Sequence, residues 1–239
     1  MALNKNSNGF TFGFAIMMVV VVGTLLATVS MALKPRQQAN ERVKKMMDIV
    51  GAIDPKGEIN PTRKNAEDLY NKYVKETMII SGKDMASGEA FDIDVRKEYK
   101  DKTLAVADRN YPLYVCEKDG EKYFVIPMVG TGLWGPIWGY VALEKDYKTI
   151  YGAKYDHKGE TPGLGAEIKT EAFQKLFRGE YISQNGEFSE ITVVKDGSGA
   201  GINGKVDGIT GGTITSVGVE EMVNRTIAIY ADYFKQQNK

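Results

Sequence analysis

Residues Asp207 to Ser216 read Asp-Gly-Ile-Thr-Gly-Gly-Thr-Ile-Thr-Ser, with three glycines and four hydroxyl side chains in ten positions. A hydroxyl can take a phosphoryl ester, and glycines let a bulky group approach the backbone closely. Directly after this stretch, Val219, Met222, Val223, Thr226, Ile229, Tyr230 and Tyr233 recur at helical spacing. Ser216 is positioned to cap that helix, and Glu220 and Glu221 then fall in its first turn, against the positive end of the dipole. A glycine-rich turn feeding a helix N-terminus receives phosphate well. An ordinary Gly/Thr turn before a helix has the same local pattern, and the residues alone do not separate the two readings.

Two further loops are rich in glycine. One is Gly130-Thr131-Gly132-Leu133-Trp134-Gly135-Pro136 and the other Glu160-Thr161-Pro162-Gly163-Leu164-Gly165. Other chemistry is sparse. The single cysteine, Cys116, excludes an intrachain disulfide and an all-cysteine metal site, and it lies in an apolar run that suits a packed core thiol. The single histidine, His157, sits in a polar loop, expected exposed, with no Ser/His/Asp arrangement around it. No catalytic residue and no metal set is expected. Gly199 to Lys205 fits Gly-x-x-x-x-Gly-Lys, but Val206 stands where the magnesium-binding hydroxyl belongs and no helical pattern follows directly, which argues against nucleotide hydrolysis. Thirty-one basic residues balance thirty-one acidic ones, so charge gives no case for nucleic acid.

The elements that must position these loops follow from periodicity. Residues 10–33 carry no charge and are Phe/Met/Val/Leu-rich, longer than the roughly 20 residues a bilayer span needs, and Lys34-Pro35-Arg36 closes the run. Its length and the lack of a small-x-small cleavage site favour a retained span over a signal peptide. Lys34, Arg36, Arg42, Lys44 and Lys45 follow the span and only Lys5 precedes it, so the positive-inside rule puts the following domain in the cytoplasm. Val43, Met46, Met47 and Val50 predict a stalk helix continuing to Gly51, with Pro55 beyond. Residues 56–110 are polar, with a helix near Ala66–Lys75 and few clear strands expected. From Tyr111 the pattern turns to strands: 113–117 and 123–128 about a Lys-Asp-Gly-Glu hairpin, then 137–143 and 149–155, a helix from Ala172 to Phe177, and a strand at 191–194. The expected fold is α+β, an antiparallel sheet with flanking helices behind one N-terminal transmembrane helix. Its parts are a tail at 1–9, a span at 10–33, a stalk and mixed segment at 34–110, and the main domain at 111–239.

Asp-Gly-x-Thr-Gly-Gly-Thr at 207–213 resembles the flavinylation motif of FMN-binding domains, which more often has Ala at the place of Gly212. Together with the loops at 130–141 and 160–165 and the single span, it makes the chain similar to the C subunit of the sodium-translocating NADH:quinone reductase. The resemblance implies FMN joined by a phosphoester to Thr213, attached by a flavin transferase, with Thr215 a neighbouring hydroxyl. It also implies contacts to the flavin from Asp207, Gly208, Thr210, Gly211 and Gly212. Thr131, Gly132, Leu133 and Trp134, and Glu160, Thr161, Pro162, Gly163, Leu164 and Gly165, would supply the ring pocket. Trp134 reads equally as core, and Lys205 either neutralises flavin charge or is a solvated lysine. The implied role is electron carriage within a sodium-pumping complex of the bacterial inner membrane, with its other subunits as partners. The domain would then lie on the periplasmic side, opposite to the charge count, with residues 10–33 in lipid. The G subunit of the Rnf-type ferredoxin:NAD oxidoreductase, an anchored FMN-type sensor without covalent flavin, and a purely structural component are the alternatives.

Overall fold

The computed structural model describes residues 7–81, 84–184 and 187–237. It divides into two compact units, Met1–Lys44 and Lys45–Lys239. The first consists of most of helix α1, Asn8–Ala52, which carries Pro35 in its interior. An 18-residue window of α1 has a mean hydropathy of 2.4 and none of it is buried, so α1 is long and apolar enough to cross a membrane. Val19, Leu25 and Leu26 are among the apolar side chains left exposed along it.

The second unit is built on a six-stranded antiparallel sheet. After α2 (Ala66–Tyr73) come strands β1 (Val74–Ser81) and β2 (Asp84–Ser87), a short helix α3 (Val95–Lys100), then β3 (Tyr111–Lys118), β4 (Glu121–Thr131), β5 (Pro136–Leu143) and β6 (Ile150–His157). The strand order is β2-β1-β3-β4-β5-β6. Asp119 and Gly120 join β3 to β4 with φ of 54° and 80°, the pair of positive values that a tight primed hairpin turn requires. Between 56 and 110 only two strands are described, and of these β1 pairs with β3 and extends the sheet. That strand is hard to read locally because its burial alternates only weakly, with exposed Lys75 and Glu76 early in the run.

The central strands are buried on both faces, which is why they read as almost continuous apolar runs rather than strict alternation. On one face Leu113, Val115, Ile126, Met128, Val141 and Leu143 pack with Val219, Met222, Val223, Ile227, Tyr230 and Phe234 of the terminal helix α5, Thr213–Gln237. On the other face Tyr114, Cys116, Val125, Tyr140 and Ala142 pack with Ile49, Ala52 and Ile53, from the end of α1 and the residue beyond it. The stripe read from the α5 sequence is incomplete, since Ile227 and Phe234 are buried as well. At ~1.5–3 kcal/mol for each fully buried large apolar side chain, the six on α5 contribute on the order of 10 kcal/mol before entropic costs. Tyr230 adds a 2.7 Å hydrogen bond to the Pro112 carbonyl. The N-terminus of α5 is thereby held at a fixed place beside the sheet.

Between β6 and α5 lie a 3-10 turn at Gly165–Lys169, helix α4 (Glu171–Gln174), the short pair β7 (Ser183–Gln184) and β8 (Glu187–Phe188), and β9 (Thr192–Val194). Strand β10, Lys205–Asp207, runs parallel to β9 and leads into the glycine turn. Lys205 therefore opens a strand rather than a helix, and the preceding Gly-x-x-x-x-Gly-Lys match is a pair of glycine turns, with Gly201 and Gly204 at φ of 77° and 78°.

Candidate functional site

The three glycine loops converge at one cleft. It has a volume of about 200 Å³ and is lined by Leu133 and Trp134 from the first loop, Glu160, Thr161, Leu164 and Gly165 from the second, and Gly211 to Thr215 from the third. A smaller cleft of about 130 Å³ borders the same turn, lined by Val193, Lys195, Gly208 to Gly211, Thr213, Ser216 and Val217. Thr213 and Gly211 border both clefts.

Helix α5 starts at Thr213, three residues earlier than the expected cap at Ser216. The reason is local. The Ser216 hydroxyl faces back into the turn, donating to the Gly212 carbonyl at 3.0 Å and accepting from the Ile209 amide at 3.0 Å, so it closes the turn from inside the helix. Glu220 and Glu221 consequently lie beyond the first turn. Glu220 accepts from the Val193 amide and Glu221 pairs with Arg225 at 2.5 Å. Thr213, Ile214 and Thr215 instead occupy the first turn, whose amides have no intrahelical acceptor and carry the positive end of the dipole. Those three residues line the larger cleft.

The two neighbouring threonines differ sharply. Thr215 is 1% exposed, and its Oγ1 donates to Oε2 of Glu160 at 2.6 Å. Thr213 is half-buried and open to both clefts. Glu160 is itself 5% exposed, and its Oε1 accepts from the Trp134 amide at 2.8 Å. One carboxylate thus joins all three loops. His157 contributes as well: its Nδ1 accepts from the Glu160 amide at 3.0 Å, so it is part of the loop scaffold and only half-exposed.

Glycine is needed where the loops meet. A Cβ on Gly132 would lie 2.6 Å from Glu160 Oε1, and one on Gly165 would lie 2.5 Å from Glu160 Oε2 and closer still to the Thr215 hydroxyl. Gly211 has φ of +74°, and a Cβ there would be 2.7 Å from Leu164 Cδ2. At Gly212 a Cβ would stand 2.9 Å from Ile209 Cγ2 and 3.1 Å from the Leu164 carbonyl carbon, so the second loop rests directly on the Gly-Gly pair.

The remaining expected residues are placed as follows. Trp134 is 68% exposed, which excludes the core reading, and Leu133, Leu164 and Ile214 are exposed apolar neighbours around the same cleft. Thr210 is exposed and lines the smaller cleft. Thr131, Pro162 and Gly163 are exposed and line neither cleft. Asp207 Oδ1 accepts from the Gly199 amide at 2.8 Å and so fixes the preceding loop. Lys205 is exposed and lines neither cleft, whereas Lys195, which sequence reasoning missed, borders the smaller one. Ile209, Ile214 and Val217 were missed too. Their signal was their alternation with the hydroxyl residues, which puts apolar and polar groups on the same turn. Among the described residues no group of three His, Cys, Asp or Glu side chains is arranged to hold a metal.

These loops sit at the edge of an antiparallel sheet with a C-terminal helix packed on it, and residues 132–228 match the FMN-binding domain family. More narrowly, the chain belongs to the family formed by the C subunits of the Na(+)-translocating NADH-quinone reductase. The crystal structure of that subunit from Parabacteroides distasonis is 38% identical, with a TM-score of 0.74 over 84% of this chain and 96% of that one. The Shewanella oneidensis NqrC crystal structure is 25% identical, with a TM-score of 0.66 over 83% and 98%. The C subunit from Vibrio vulnificus is 29% identical over 228 residues, 88% of this chain and 87% of the relative.

Proposed function

We propose that this chain is a membrane-anchored electron-carrier subunit that bears FMN in phosphoester linkage to Thr213. The observation that carries the reading is the placement of the two threonines: one hydroxyl is sealed against Glu160, and the other stands at a helix N-terminus between two clefts. Only the second is available to a modifying enzyme and to a planar ring.

The residues present fit the group. The amides of the first turn of α5 suit a phosphate. Leu133, Trp134, Leu164 and Ile214 offer an apolar surface to a ring. Gly211 and Gly212 leave the backbone bare where a bulky group must approach. The larger cleft, at about 200 Å³, is below the ~300 Å³ at which enclosed ligand sites begin. A group of flavin size would therefore keep an edge in contact with solvent or with a partner, as an electron carrier needs. FMN supplies the one- and two-electron chemistry when attached, and the chain supplies attachment, orientation and the charges around the ring.

In this reading the other subunits of the reductase are the electron partners, a flavin transferase carries out maturation, and residues 10–33 lie in the lipid of the bacterial inner membrane. The domain would face the periplasm, against the charge count around the span. The test is peptide mass spectrometry of the chain made with and without the transferase. An FMN-sized adduct on Thr213, absent in Thr213→Ala, is expected. In-gel flavin fluorescence should survive denaturation, and its absence from the wild type would remove the covalent reading. Labelling of a cysteine introduced at Lys158 in a Cys116→Ser background, from outside intact cells, reads the orientation.

A further inference from the structure

We infer that Glu160 is the positioning residue of the flavin site, clamping the three loops around the cleft and setting a fixed negative charge beside it. This rests on the FMN reading. Three features carry it. The two carboxylate oxygens each accept one hydrogen bond from a different loop, Oε1 from the Trp134 amide and Oε2 from the Thr215 hydroxyl. The carboxylate's own loop is tied to the end of the sheet by the Glu160 amide donating to His157 Nδ1. The space around the carboxylate is kept open by Gly132 and Gly165, at either of which a Cβ would collide with it.

The choice of glutamate over glutamine makes charge part of the device. A glutamine could keep both contacts, accepting from the Trp134 amide and donating to the Thr215 oxygen. The chain instead buries a carboxyl group here, and among the described residues no salt bridge reaches it. A buried carboxylate without a cation is costly, and its two hydrogen bonds offset only part of that cost. Reduction of a flavin adds negative charge to its ring, so a fixed carboxylate at the cleft wall opposes reduction and lowers the potential of the bound group.

The test compares full-length wild type, Glu160→Gln and Glu160→Ala in detergent. Without the transferase, hydrogen exchange at the Trp134 amide reads the clamp alone. It should be slow in the wild type and in Glu160→Gln, and about tenfold or more faster in Glu160→Ala. With the transferase, Glu160→Gln should retain the adduct on Thr213 and raise the flavin midpoint potential. Glu160→Ala should give a flavin spectrum close to that of free FMN in water. Unchanged Trp134 exchange in Glu160→Ala overturns the clamp, and an unchanged potential in Glu160→Gln overturns the charge role. If Glu160→Ala is not recovered folded, the Glu160→Gln potential decides. A wild type that carries no flavin overturns the FMN reading instead, and amide exchange then judges the clamp by itself.

Discussion

Thr215 and Glu160 are 55 positions apart in the chain, and their side chains meet at 2.6 Å in the buried base of the cleft. This bond settles how two threonines separated by one residue come to differ. A helix turns about 100° per residue, so Thr213 and Thr215 leave the first turn of α5 in nearly opposite directions. One enters the scaffold and the other faces the clefts.

Replacing Thr215 with Val removes the hydroxyl at nearly constant volume and leaves Glu160 Oε2 without its donor. An unsatisfied buried acceptor costs ~1–3 kcal/mol, more when charged. Urea unfolding should show a loss of that size with an unchanged slope, and mass spectrometry should still find the adduct on Thr213. A Thr213→Ala chain should carry none on Thr215. Transfer of the adduct to Thr215 in that variant would mean that the base of the cleft opens far more readily than its packing implies.

The glycines divide into those that make room and those that make a turn. Gly165→Ala places a methyl against both the Thr215 hydroxyl and Glu160 Oε2. It is expected to destabilise the domain by ~1–3 kcal/mol, the usual cost of overpacking. Gly163→Ala meets no atom within 4 Å, but its φ of +75° costs an L-residue ~1 kcal/mol. Thermal unfolding of both variants should place Gly165→Ala lower, and only Gly165→Ala should alter the exchange of the Trp134 amide.

Much of this architecture was legible in the sequence because its determinants are local. The hairpin about Asp119-Gly120, the four strands from Tyr111 and the apolar stripe of α5 each announce themselves within a dozen residues. The three loops were also visible, as glycine clusters. What could not be read was their meeting point. Glu160 appears in the chain as one carboxylate before a Thr-Pro turn, and nothing nearby indicates that it bonds residues 26 positions before it and 55 after it. The start of α5 is hidden for a related reason. Ser216 has the chemistry of a cap, but its partner is the carbonyl of Gly212, inside the turn it closes. Strand β1 is hidden because its pairing with β3 is long-range while its own pattern is only half apolar.

Cys116 should be silent in the native protein. It is fully buried between β1 and β4, and burial pushes its thiol up to about 12. The thiolate is the reactive form. At pH 8 it would make up about one molecule in ten thousand, before access is considered. A colorimetric thiol assay should find no reaction in buffer and one thiol per chain in denaturant. Prompt labelling of the folded chain would mean that the sheet face beneath Ile49 and Ile53 is not closed.

That face also fixes where the chain can be shortened. Ile49, Ala52 and Ile53 cover Tyr114, Cys116, Val125 and Ala142, so the end of α1 is core for the second unit. A fragment starting near residue 35 drops the apolar run and keeps this cover. It should be monodisperse without detergent and melt cooperatively. A fragment starting near residue 56 bares the face and should aggregate. Equal behaviour of the two fragments in size-exclusion chromatography would contradict the packing.

The ring-facing role of the second loop can be separated from its structural role at Leu164. This residue is partly exposed at the cleft, and its side chain lies over Gly211 rather than in the core. A lysine there loses little buried apolar area, so the fold should be unchanged within about 1 kcal/mol. The charge would nevertheless stand at the cleft wall beside Thr213. Attachment at Thr213 should persist, while the visible spectrum of the flavin shifts and its midpoint potential rises, because a cation favours the more negative reduced form. The direction is the same as that expected for removing the Glu160 charge, and the double variant should show the larger change. A Leu164→Lys chain with wild-type spectrum and potential would assign residues 160–165 to scaffolding alone and move the ring to the smaller cleft, which Lys195 borders.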